Sequence, residues 1–69
     1  MDRKTKRETF RHLKEGFSFE KKIVHLYTNA AEIAKAEGAN EAAEFFRNAA
    51  KDEKEHIKRI EELLMNMRG

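Results

Sequence analysis

Apolar and amphipathic residues recur along the first half of the chain in alternating steps of three and four: Phe10, Leu13, Phe17, Val24, Tyr27, Ala31 and Ala34. Glu20 fills the one step that falls on a charge. Steps of this kind bring side chains onto one face of an α-helix. The second half repeats the pattern as Ala42, Phe46, Ala49, Ile60, Leu63 and Met67, interrupted by Glu53 and His56. No run alternates with the period of two that a strand needs, so nothing reads as sheet. Between the halves lies Glu37-Gly38-Ala39-Asn40. Gly38 suits the left-handed residue that ends a helix, and Asn40 suits the cap of the next one. Glu41 and Glu44 then place negative charge where a helix N-terminus favours it. The pattern predicts an all-α antiparallel two-helix hairpin, one domain over 1–69, with helix 1 over about 9–37, a turn at 38–40 and helix 2 over about 41–67.

Three ionisable residues thus occupy positions that the pattern assigns to a core. With the turn centred between Gly38 and Ala39, antiparallel pairing sets Glu20 opposite Ile57, within about one helical turn of both Glu53 and His56. A carboxylate buried without a partner costs several kcal/mol, so such groups are paired, protonated or bound to metal. No lysine or arginine lies on either seam. Glu-x-x-His places a carboxylate and an imidazole one turn apart on a single face, and di-metal sites in helix bundles combine that motif with glutamates from neighbouring helices. One hairpin offers Glu20, Glu53 and His56 as metal ligands. Two hairpins related by a two-fold axis offer four glutamates and two histidines, and the four negative charges balance two divalent ions. Each residue alone has a plainer reading, Glu20 at the seam's edge reaching Lys54 or water, Glu53 and His56 on a charged face that brushes the core. Their shared level favours the metal. Iron, manganese and zinc all suit these ligands.

Helix 1 also asks for a partner on its own account. Beside its main seam lies a second apolar stripe, Phe19, Ile23, Leu26, Ala30 and Ile33, which one neighbouring helix does not cover. A closed two-fold homodimer is the commonest solution, and a higher homo-oligomer is compatible. Gly16 falls inside helix 1, where a kink, a late start to the helix or the close approach of another helix would account for it.

Composition sharpens this picture. A chain of 69 residues with no cysteine and no proline has neither disulfides nor a thiolate metal site to staple it, so a partner chain or a bound metal must supply stability. No stretch is long and apolar enough to cross a bilayer, and the opening segment is hydrophilic, which leads us to expect a soluble cytoplasmic protein without a membrane partner. Net charge is +2, but residues 1–14 carry six basic side chains against two acidic ones. Such an arm can attract nucleic acid, yet no aromatic residue is interleaved before Phe10, and a solvated end is the better expectation. His12 and His25 fall off both seams and read as surface residues. Met65 and Met67 read as core or helix end.

Phe17-x-x-Glu20, Tyr27, Ala31, Glu37-Gly38, Ala43, Phe46, Ala49-Ala50 and Glu53-Lys54-Glu55-His56 together resemble one helical hairpin of the rubrerythrins, within the ferritin-like superfamily, over roughly Leu13 to Leu64. The resemblance implies a ferritin-like four-helix bundle built by dimerisation, holding two iron ions per dimer. It implies Glu20 and Glu53 as carboxylate ligands, with Glu53 or its partner bridging, and His56 as a terminal ligand. Tyr27 would hydrogen-bond a ligand carboxylate and take part in redox chemistry. The implied activity is oxidation of ferrous iron with oxygen, or reduction of peroxide. Two departures stand out. Rubrerythrins carry two such hairpins in one chain, so here the site would form between chains. They usually also carry a cysteine-ligated iron domain, so peroxide turnover here would need an external electron donor. A looser similarity to single-hairpin ferritin-like proteins packaged in encapsulin shells points to iron storage, although no cargo tail is recognisable at Arg68-Gly69. A hairpin that only dimerises or docks on a partner, and a metal store without turnover, are the competing expectations.

Overall fold

The computed structural model describes residues 3–68, with side chains from Lys6 to Arg68. The first charges of the basic opening segment, and Gly69, lie outside that range. Two helices make up the architecture, α1 over Arg3–Ala36 and α2 over Asn40–Arg68. They pack side by side as a hairpin whose Cα positions extend 53 × 14 × 13 Å. None of its helices is long and apolar enough to cross a membrane.

Helix α1 starts six residues earlier than the apolar pattern announces. The added stretch contains lysine, arginine and glutamate, good helix formers that carry no seam residue and no stop signal. The turn is made as its sequence suggests, with Gly38 at φ +77°. Its amide donates to the Lys35 carbonyl at 3.1 Å, and the Ala39 amide donates to the Ala34 carbonyl at 2.8 Å. That pair of bonds is the Schellman motif, which satisfies the last carbonyls of α1. The Ala39 carbonyl then accepts from the Ala43 amide at 2.9 Å and opens α2. Ala39 therefore takes the cap position and Asn40 is already the first helical residue, so α2 begins one position earlier than the sequence suggested.

The core is thin. Its fully buried members are four alanines near the turn, Ala31, Ala34, Ala43 and Ala50, and no large side chain is completely enclosed among the described residues. Alanines fill the contact at this end, while Phe17, Leu13, Ile57, Ile60 and Leu64 take it up towards the open end, all of them only half-buried. On α1 the expected seam is the observed one. On α2 the contact line runs Ala43, Phe46, Ala50, Glu53, Ile57, Ile60, Leu64 and Met67, while Ala42 and His56 are exposed. Phe46, Glu53, Ile60 and Met67 stay on the line while each alternate seam residue gives way to the next one, so the helix is turned by roughly 50°, about half a position. The turn brings Ile57 rather than His56 against α1.

The surface left over is large. Exposed area is 5725 Å² for an 8.1 kDa chain. A compact monomer of that mass exposes about 4500 Å². Phe19, Leu26 and Ile33 remain 61%, 63% and 59% exposed, and Phe45 of α2 is 65% exposed.

Candidate metal centre

Glu20 sits near the middle of α1, and Glu53 and His56 lie one turn apart on the middle of α2. The hairpin brings the three to one level. One ligand atom from each of Glu20, Glu53 and His56 lies within 4.8 Å of the others. Their environments differ. Glu53 is well covered, with 18% of its side chain exposed, whereas His56 on the flank of α2 exposes 60%. Glu20 is half-buried.

Each carboxylate has one oxygen left unsatisfied. Oε2 of Glu20 and Oε2 of Glu53 are both shut away from solvent without a hydrogen-bond donor. His56 Nδ1 approaches Glu53 Oε2 at 3.5 Å, close enough for electrostatic attraction but without hydrogen-bond geometry. A buried acceptor left unpaired costs on the order of 1–3 kcal/mol, more when charged, so two at one level mark a place where something positive belongs. Of the basic residues next to them in sequence, Lys21 lays its ammonium over the Phe17 ring at 5.2 Å, and Lys54 is turned to the opposite side of the hairpin. There it lines a groove with Thr28, Glu32, Lys35, Arg47 and Lys51. The donor set fits a divalent transition metal, with two carboxylate oxygens and one imidazole nitrogen, no sulfur and no competing cation.

The groove also sorts the faces of the hairpin. Thr28 and Lys35 of α1 share one side with Arg47 and Lys54 of α2. By helix geometry the opposite side carries Gly16, Phe19, Ile23, Leu26 and Ala30 of α1 beside Ala42, Phe45, Ala49, His56 and Leu63 of α2. His56 thus stands on the apolar, uncovered side, with Glu20 and Glu53 at the edge of the same face.

Tyr27 lies two turns along α1 from Glu20, roughly 10 Å by helical rise. Its ring stacks on Phe46, with centroids 6.1 Å apart, and Phe46 in turn meets Phe45 edge-on at 5.5 Å. The unpartnered glutamate oxygens receive no hydrogen bond from it within one hairpin. The Tyr27–Phe46 stack was not anticipated, although both residues lie on the predicted seams within a turn of the same level. His12 and His25 are exposed, and the His12 ring lies 3.4 Å from the Arg11 guanidinium.

Gly16 has no role inside the hairpin. The helix runs through it without a break, and a methyl group added there would meet Ile60 Cδ1 at 3.9 Å, an ordinary contact. Neither a kink nor the approach of α2 explains a glycine at that point.

The family model described as Rubrerythrin matches residues 11–69. No curated protein matches the chain, and no solved structure does.

Proposed function

The chain belongs to the rubrerythrin family, and from that premise we propose that it is a di-iron carboxylate protein whose metal pair is held between two copies of the hairpin. Its chemistry is the oxidation of ferrous iron by oxygen, or the reduction of peroxide. The observation that carries the reading is the pair of solvent-excluded, unpartnered oxygens on Glu20 and Glu53, beside His56, in a hairpin that offers no lysine or arginine to them.

Glu20, Glu53 and His56 would hold the metal, and the same three residues of a second copy would complete a set of four carboxylates and two imidazoles. Iron bound there would supply one-electron redox chemistry towards oxygen or peroxide. The chain's own contribution is to bind, orient and shield. Glu20 and Glu53 project from different helices, so their separation is fixed by the hairpin packing rather than by side-chain freedom. His56, free on its flank, has the latitude to turn onto a cation without moving the backbone. Phe17, Val24, Ile57 and Ile60 flank the site on the two seams and keep water away. Tyr27 is assigned a supporting part, bonding to a ligand carboxylate in the assembled bundle and lending a redox-active phenol.

Iron oxidation is the better of the two activities for this chain. Ferrous iron as substrate brings its own electrons, whereas peroxide reduction needs an outside donor that these cysteine-free residues do not supply. The uncovered Phe19, Leu26 and Ile33 also suit a second reading, a docking or dimerisation module that carries no metal. Rapid mixing of the protein with ferrous iron and air separates the two. The account expects ferric absorbance to grow faster than in buffer, and to fall to the buffer rate in Glu53→Ala. Equal rates for wild type and variant refute the redox role.

A further inference from the structure

The exposed residues of α1 and α2 differ in a way that selects how two copies meet. Beyond its contact with α2, α1 carries two apolar stripes, a half-buried one through Gly16, Ile23 and Ala30 and an exposed one through Phe19, Leu26 and Ile33. Helix α2 carries one, through Ala42, Phe45, Ala49, His56 and Leu63, and beyond it lie Asp52 and Arg59. A two-fold axis parallel to the helices would lay α1 on the partner's α2, setting Leu26 and Phe19 against a polar edge. An axis perpendicular to them, lying in the interface, would lay α1 on α1 and α2 on α2, like against like.

We infer that a second copy of this chain covers the apolar face in this perpendicular arrangement, α1 antiparallel to the partner's α1, with Gly16 receiving the partner's Leu26. The inference rests on the metal reading for the height of the axis, since two ligand sets converge only if it passes at the level of Glu20, Glu53 and His56. That level is the middle of α1, with 17 residues back to Arg3 and 16 on to Ala36, so the two hairpins overlap along nearly their full length. Residues of α1 then oppose those of the partner whose number brings the sum to about 40, and residues of α2 those that bring it to about 109. Phe19 lies beside the axis, near the partner's Phe19. Leu26 comes within a turn of the partner's Gly16, which gives that glycine the purpose it lacks in one hairpin. Phe45 falls level with the partner's Leu63. Asp52 comes within a turn of the partner's Arg59, and Arg59, whose guanidinium also donates to Glu62 of its own helix at 3.1 Å, within a turn of the partner's Asp52, so the polar edges bring opposite charges together.

Area agrees with this. A face 53 Å long and about 20 Å across two helices offers on the order of 1000 Å² per copy. Stable interfaces take about 800 Å² from each partner.

The chain has no cysteine, so single cysteines report the arrangement cleanly. Phe19→Cys should form a disulfide-linked dimer on mild oxidation, while Ser18→Cys, at the same height but about 100° around the helix, should not. If Phe19→Cys links no faster than Ser18→Cys, the arrangement is wrong. Charge exchange gives a second test that does not depend on the Phe19 contact. Asp52→Arg sets like charges together across α2 and should raise the dimer dissociation constant by about fivefold at low salt, and adding Arg59→Asp should restore it. Asp52 and Arg59 are two turns apart within one chain, about 10 Å, so rescue has to act between chains. Absence of rescue overturns the inference. Ferrous ion uptake measured on the same samples keeps the two readings apart. A dimer that takes up two ions but fails both tests overturns the arrangement alone, and a dimer that passes both but takes up none overturns the metal reading alone.

Discussion

Replacing Leu26 by alanine probes the uncovered face without touching the ligand set. Leu26 is 63% exposed in the hairpin, so nearly two thirds of its surface is open to a second chain. The substitution removes three carbons, worth about 2.4 kcal/mol when fully buried at about 0.8 per methylene. About 1.5 kcal/mol of that belongs to the intermolecular contact and about 0.9 to the hairpin itself. Two symmetry-related copies lose about 3 kcal/mol from the dimer, a rise of roughly 100-fold in its dissociation constant. Sedimentation equilibrium across a dilution series measures this directly, and circular dichroism over the same series follows the helix content that depends on association. A variant whose dissociation constant stays within about threefold of wild type would refute the reasoning, because Leu26 would then face solvent in the assembly as it does in one hairpin.

The other expectations address the turn and the site. Gly38→Ala forces a side chain into the left-handed conformation at φ +77° and should cost about 1–2 kcal/mol, read as a lower midpoint in denaturant at fixed protein concentration. Glu53→Ala should abolish metal uptake while the dimer persists in sedimentation, because apolar burial and ligation are separate contributions. Undiminished uptake in that variant would remove Glu53 from the site. Acid should release bound metal, since carboxylate and imidazole ligate only when deprotonated and affinity falls as pH falls. Retention in dialysis at about pH 3, below the reference carboxylate range, would count against these ligands.

The hairpin was legible because its signals are local. Gly38 is the one residue between two long periodic runs that can end a helix in a left-handed conformation, and it does so. The seam of α1 was legible because polar residues confine it on both sides. That of α2 was misplaced by about half a position because its apolar residues come in adjacent pairs, Ala42-Ala43, Ala49-Ala50 and Leu63-Leu64, either member of which fits the period. The choice is decided at Ile57 and His56, where the larger apolar side chain takes the contact with α1 and the imidazole goes to the flank. Glu20 and Glu53 lie on the contact line under either choice, so their place on the seams was legible from spacing alone. His56 was expected inside and stands 60% exposed, because Ile57 takes the place against α1 and leaves the imidazole on the flank. The helical start at Arg3 left no mark in the hydrophobic pattern, since the residues before Thr9 favour helix but add no apolar position to the seam.

The most direct test titrates the protein with ferrous iron under anaerobic conditions while native mass spectrometry counts ions and chains together. The account predicts a species of two chains and two ions, with the ions lost from Glu20→Ala and from Glu53→Ala. A protein that stays free of iron, or variants that take up as much as wild type, would contradict it.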